Sequence, residues 1–269
     1  MTDLQVLDDP YPVTSDQVAF YRENAWIKLR EVLPADTIAH FSEVISEDVI
    51  RLNRETRPME ERDTYGKAFL QVMNLWRQSA EAKRLVFSKR LAGIAAALLE
   101  VDGVRLYHDQ ALYKEAGGGH TPWHADQYYW PLASDRTVTV WLPLQATPLG
   151  MGPLEFSEGS HRLSAGRDMA ISDESEEAIE RLLSEGPYRH VVEPFELGEA
   201  SFHAGWLFHR AGPNTTGRPR RVMTVIYMDA GMRLKEPENS NQRVDWETWC
   251  PGAGVGEVID TPLNPVLWP

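Results

Sequence analysis

The chain has 269 residues, 42% of them hydrophobic and 25% charged, an ordinary globular composition with enough apolar material for a core that needs no disulfide or structural metal. Its formal net charge of −13 speaks against nucleic acid, whose phosphates require a basic footprint. The start of the chain has no basic region followed by an apolar stretch, the most apolar run, residues 91–99, is too short for a bilayer, and the lone Cys250 suits a reducing compartment; the expectation is a cytoplasmic protein that engages neither membrane nor nucleic acid.

In chain order, the first third reads as helical. Thr14 or Ser15 can cap a helix running to Asn24, with Gln17 placed for a capping box. After Leu33-Pro34, the residues Ile38, Phe41, Val44, Ile45, Val49 and Leu52 recur at helical spacing. Residues 81–100, rich in alanine and leucine, predict another helix, and the charged, proline-containing stretch 54–65 reads as a loop or lid-like insertion. From Val104 the pattern changes to strands at 104–114, 136–144, 154–156, 191–195, 200–203 and 221–229, broken by glycine and proline, with a helical insertion at 171–184. Helices followed by many short strands predict a mainly β fold with flanking helices, a double-sheet jelly roll. The reading is one domain over 1–269: a helical part at about 14–100, a jelly-roll core at about 104–229, and a proline-rich tail, 230–269, wrapping the surface without regular structure.

Two segments carry chemistry. Thr121-Pro122-Trp123-His124-Ala125-Asp126-Gln127 holds a histidine and an aspartate two residues apart, and positions i and i+2 of a strand point to the same side. Far downstream, Gly205-Trp206-Leu207-Phe208-His209 supplies a second histidine. Two imidazoles and one carboxylate on one face of a metal leave open coordination positions and mark non-haem Fe(II) oxygenases. Arginines follow at Arg218, Arg220 and Arg221. A co-substrate carboxylate reaching inward from the metal needs such a buried cation, best as a bidentate guanidinium. Alternation on a strand turns Arg220 and Arg221 to opposite faces.

Together with the strand 137–144, the turn Gly152-Pro153-Leu154-Glu155-Phe156-Ser157-Glu158-Gly159-Ser160-His161, and the stretch from His209-Arg210-Ala211-Gly212-Pro213-Asn214 through Arg218-Pro219-Arg220, these segments resemble the phytanoyl-CoA dioxygenase family of Fe(II)- and 2-oxoglutarate-dependent oxygenases. The resemblance runs from about Val104 to Asp229. It implies a double-stranded β-helix, cupin-like, with Fe(II) held by His124, Asp126 and His209 and with the distal carboxylate of 2-oxoglutarate on Arg220. It also implies that Gln110 and Thr139, and more weakly Tyr113, line the co-substrate or substrate pocket.

The implied reaction is hydroxylation of an unactivated C–H bond of a small-molecule metabolite or natural-product intermediate by O2, with succinate and CO2 as co-products. Asp126 disfavours halogenation, for which related enzymes replace the carboxylate by a small residue. It leaves open cyclisation, epimerisation and desaturation. More remote readings are a cupin-like Zn or Mn enzyme and a non-catalytic binding protein that keeps the jelly roll as a scaffold. Aromatic residues flank both motifs (Trp123, Tyr128, Tyr129, Trp130, Trp206, Phe208), at least half of them expected in the core. Lys114, Arg136, Arg162 and Arg210 are candidates to meet an anionic substrate group. His108, His120 and His203 fall near the expected site, and 54–65 and 164–187 are the expected covering segments.

Overall fold

The structure is a computed structural model and describes residues 4–269. The N-terminal part contains α1 (Ser15–Asn24), β1 (Trp26–Leu29), α2 (Ala35–Leu52), α3 (Thr64–Ala68), β2 (Leu70–Met73), α4 (Ala80–Val86) and α5 (Lys89–Leu99). The capping box forms as expected: Gln17 N donates to Thr14 Oγ1 at 3.2 Å and Thr14 N donates to Gln17 Oε1 at 2.9 Å. α2 buries the stripe Ile38, Phe41, Ile45 and Val49, as its periodicity requires.

Three expectations need correction. The helical first third also contains β1 and β2, four-residue strands (Trp26-Ile27-Lys28-Leu29 and Leu70-Gln71-Val72-Met73) too short for any periodicity to declare itself; they pair with β8 (Ala200–Ala204) and β3 (Val104–Lys114), so the division at about 100 is not a structural boundary. The single helix over 81–100 is two helices. Ser88 breaks it, because its hydroxyl accepts from Leu91 N at 3.3 Å as the cap of α5 and donates to Leu7 O at 2.9 Å. The tail is not irregular: it forms α7 (Ser240–Trp249) and β11 (Val266–Trp268).

Between these lie β3 (Val104–Lys114), β4 (Thr121–His124), β5 (Thr137–Pro143), β6 (Leu154–Glu158), α6 (Asp173–Ser184), β7 (Arg189–Val192), β8 (Ala200–Ala204), β9 (His209–Ala211) and β10 (Arg220–Asp229). One antiparallel sheet has the order β1-β8-β5-β10-β3, with β2 and β11 sharing the outer edge of β3; a second has the order β4-β9-β6-β7. β10 pairs with β3 and β5 along its length, and Val222 to Met228 are all buried, which explains why this strand shows no polar alternation. Met223, Val225 and Tyr227 of β10 join Ala111 and Tyr113 of β3 in one apolar cluster with Phe41, Ile45, Leu85 and Ile94 of the helices. Strand parity then turns Arg220 and Thr224 to the opposite face, with His108, Gln110 and Leu112 of β3. That inner face builds the site.

Ser88→Ala removes both bonds of a buried cap. It is expected to lower unfolding free energy by about 1–2 kcal/mol, read as a fall in the urea midpoint at unchanged slope.

Candidate metal centre and ligand cavity

A cavity of about 580 Å³ opens between the two sheets. The larger sheet contributes Gln110, Thr139, His203 and Arg220, and the smaller contributes His124 and His209. Concave space with a few convergent polar groups on rigid strands is the ordinary form of a small-molecule site.

β4 ends at His124, which lies opposite His209 of β9 in register. Asp126 already begins a short 3-10 turn, but Ala125 between them is extended (φ −123°, ψ 127°), so the two side chains still share a side. His124 Nε2 and His209 Nε2 stand 3.6 and 3.7 Å from Asp126 Oδ1, and the three ligand atoms all lie within 4.8 Å of one another. Each imidazole is held from behind: His124 Nδ1 meets Pro122 O at 2.7 Å and His209 Nδ1 meets Leu207 O at 3.0 Å. A carbonyl can only accept, so both Nδ1 atoms carry the proton and both Nε2 lone pairs face the shared point.

The second carboxylate oxygen is fixed too. Thr139 Oγ1 donates to Asp126 Oδ2 at 3.2 Å, and His203 Nε2 is 3.5 Å from the same oxygen. Burial works against the Asp126 charge, but His209, His124 and His203 outweigh it and hold the carboxyl well below the usual carboxylate range. Burial, reinforced by the neighbouring His124, pushes His209 well below its ordinary value. An ionised carboxylate and a neutral imidazole are the forms that bind a metal, and two nitrogens with one oxygen suit a borderline divalent ion.

Arg220 is 1% exposed and makes no ion pair with any described residue. One Nη donates to Gly152 O, the guanidinium lies 5.3 Å from the centre of the Trp141 ring, and Nε has no partner. Burial pushes it down to about 9. A desolvated guanidinium without an acid is unfavourable on its own and becomes favourable when a ligand brings a carboxylate to its fork. Arg221 points the other way, to Gln145 Oε1 at 2.8 Å and Ser42 Oγ at 3.2 Å, and Arg218 is exposed on the preceding loop.

Of the other expected residues, Gln110 lines the cavity and accepts from Gln71 Nε2 at 2.6 Å. Thr139 lines it as well, with its hydroxyl turned to the metal-side carboxylate. Tyr113 does not: strand parity sends it to the helix side, where its hydroxyl meets Ser46 at 3.0 Å. His108 and His203 are in the wall and His120 is outside it. Of the six aromatic residues flanking the two motifs, only Tyr129 and Trp130 reach the cavity; Trp123 and Phe208 are core. The four candidate substrate cations are all engaged elsewhere. Lys114 is capped by the carbonyls of Gly119 and Gly212, and Arg136, Arg162 and Arg210 pair with Asp229, Glu23 and Glu155.

Both expected covering segments contribute, through Tyr65 and through Ala170 and Ile171, and they meet where Thr64 Oγ1 donates to Asp173 Oδ1 at 3.0 Å. A third cover went unrecognised. α7 lines the cavity with Asn241, Val244, Asp245, Thr248 and Trp249, a set at helical spacing on one face. Asn239, whose side chain caps this helix, was the available signal, set among prolines that suggested an irregular tail.

Residues 21–222 match the family model described as phytanoyl-CoA dioxygenase (PhyH). Among solved structures, the chain resembles the non-haem α-ketoglutarate-dependent carbocyclase SnoK from nogalamycin biosynthesis, at 22% identity and TM-score 0.78 over 96% of this chain and 99% of that one. It resembles the epimerase SnoN, solved with Fe3+, α-ketoglutarate and nogalamycin RO, at 25% identity and TM-score 0.73 over 93% and 96%. EctD from S. alaskensis, solved with 2-oxoglutarate and 5-hydroxyectoine, follows at 21% identity and TM-score 0.67 over 87% and 84%. These likenesses establish the jelly-roll fold with flanking helices. No curated protein matches the sequence.

Zn(II), a redox-silent divalent ion, is expected to stabilise the wild type by about 2.7 kcal/mol at one hundred times its Kd and to leave Asp126→Ala unshifted. Equal shifts in thermal unfolding would remove Asp126 from the ligand set.

Proposed function

The chain belongs to the phytanoyl-CoA dioxygenase family, and from that premise we propose that it is an Fe(II)- and 2-oxoglutarate-dependent dioxygenase hydroxylating an unactivated C–H bond of a small metabolite or natural-product intermediate. The observation that carries this reading is the pairing, in one cavity, of the His124–Asp126–His209 face with the buried, acid-free guanidinium of Arg220. That second feature argues against a Zn or Mn enzyme of the same fold, whose chemistry needs no 2-oxoglutarate carboxylate.

Fe(II), 2-oxoglutarate and O2, bound together, supply the oxidant, with release of succinate and CO2. The chain does the rest. His124, Asp126 and His209 hold the metal on one face, and the Nδ1 bonds to Pro122 O and Leu207 O keep the rings from swinging. Thr139 and His203 orient the carboxylate of Asp126. Arg220, steadied by Trp141 and the Gly152 carbonyl, takes the distal carboxylate of 2-oxoglutarate, with Gln110 in the same cavity. Tyr65, Tyr129, Trp130 and Trp249 wall the space in which the substrate carbon is oriented and water excluded.

Apart from Arg220, no lysine or arginine among the described residues lines the cavity, which favours a small molecule over a phosphate-bearing carrier. Likeness to SnoN, an epimerase, supports the second reading, the same cofactor chemistry with epimerisation, ring closure or desaturation as outcome. Strands from both ends of the sequence complete one sheet, so the chain reads as one catalytic domain. No helix among the described residues is long and apolar enough to cross a membrane; a cytoplasmic location is proposed from the lone cysteine.

Under anaerobic conditions, Fe(II) followed by 2-oxoglutarate should give a visible metal-to-ligand charge-transfer band. Arg220→Ala should raise the 2-oxoglutarate needed for half the band about 100-fold, because a buried charge partner is lost, while Arg218→Ala leaves it unchanged. The reverse pattern would reassign the arginine. With turnover, a product heavier by one oxygen marks hydroxylation, and one lighter by two hydrogens marks ring closure or desaturation.

A further inference from the structure

We propose that Asp245, on the cavity face of α7, recognises a protonated amine, so that the substrate is a small organic ammonium compound. This rests on the metal and 2-oxoglutarate reading and adds the substrate class.

α7 is tied to the turn that begins at Asp126. Gln242 Nε2 donates to Tyr128 O at 3.0 Å and Asn241 Nδ2 to the Tyr128 hydroxyl at 3.3 Å. The cavity side of the helix therefore has a defined place over the site. Asp245 projects there between Asn241 and Trp249. Its Oδ2 accepts from the Tyr107 hydroxyl at 3.0 Å, and no lysine, arginine or histidine among the described residues forms an ion pair with it. Among the described residues it is the only carboxylate in the cavity wall besides Asp126.

Charge balance gives the sign of the ligand. The charges of Fe(II), ionised Asp126, the 2-oxoglutarate dianion and Arg220 cancel. An ionised Asp245 then leaves the loaded site with a negative charge in excess, in a partly dry space where such a charge is felt strongly. Among the described residues no cation besides Arg220 lines the cavity to answer it. His108, whose ring lies 5.2 Å from that of Trp249, is pushed down to about 4 by burial and is neutral under ordinary conditions. Burial, with a smaller contribution from the like charge of Asp126, outweighs the hydrogen bonds from Tyr107 and Trp249 and pushes the Asp245 carboxyl up to about 7; an ammonium group against it would offset both effects. The walls agree with the sign, since Trp249, Tyr129 and Tyr65 present aromatic surface, and ring faces attract cations.

The test uses the full chain loaded with Zn(II) and 2-oxoglutarate at pH 8, titrated with benzylamine and, separately, with benzyl alcohol, a neutral probe of the same shape. Benzylammonium should bind the wild type about tenfold more tightly, the scale of one charge-assisted hydrogen bond. In Asp245→Asn, which keeps the shape and an oxygen for Tyr107, the preference should vanish while 2-oxoglutarate affinity is unchanged. Absent binding of the amine, equal or tighter binding of the alcohol to the wild type, or a preference that survives Asp245→Asn overturns the assignment. The wild-type comparison stands even where the variant fails to fold. Failure of the wild type to take up 2-oxoglutarate in the same sample would instead overturn the reading beneath it.

Discussion

A guanidinium sealed from water with no acid beside it is the constraint around which this site is organised. Arg220 starts β10, and strand parity sends it inward while Arg221 goes to the helix side. Its support is built by close backbone approach. Gly152, at φ +66°, offers its carbonyl to the guanidinium, and a Cβ there would fall 2.1 Å from Gly212 O, so only glycine permits this crossing. Opposite Arg220 in register lies Lys114, also buried, held by backbone carbonyls and pushed down to about 6 by burial and by the like charge of Arg220. A lysine so displaced leaves Arg220 as the charged group at this strand end, an arrangement that becomes favourable when a carboxylate arrives.

The metal side is built on the opposite logic, with its ligand side chains held in place from behind. Backbone carbonyls two residues upstream hold the Nδ1 atoms of His124 and His209, and β4–β9 pairing sets the rings 4.2 Å apart. Arg210, beside His209, pairs with Glu155 at 2.9 Å and with Glu176 and Glu180 of α6 at 2.7 and 3.2 Å. A residue first taken as a candidate for substrate charge therefore ties a covering helix to the ligand strand. Rigidity there and unmet charge at Arg220 are complementary parts of one device: the first positions chemistry, the second selects what enters.

Much of this was legible in the sequence because its signals are local. The Thr14–Gln17 capping box, the stripe of α2 and strands β3, β5 and β10 follow from short-range periodicity and composition. The H-x-D pair kept its meaning although Asp126 lies in a 3-10 turn, since one extended residue suffices to align i and i+2. What misled was equally local. Alanine and leucine continued through Ser88 as if one helix ran on, when a bond to Leu7, 81 residues away, decided the break. Prolines around 251–269 concealed α7, whose packing against the 126–129 turn gives it a role.

The sequence by itself determined the ligand types, the main strands of the core and the three arginines from which one had to be chosen, because each depends on residue chemistry or a period of two. Only the tertiary structure decided that Arg220 lacks an acid, that Tyr113 faces the helices, that Lys114 and Arg210 are engaged within the protein, and that Asp245 joins the cavity. Those facts concern which side chains meet between separate elements, and no local pattern encodes a distance between strands and helices that come together only when the core closes.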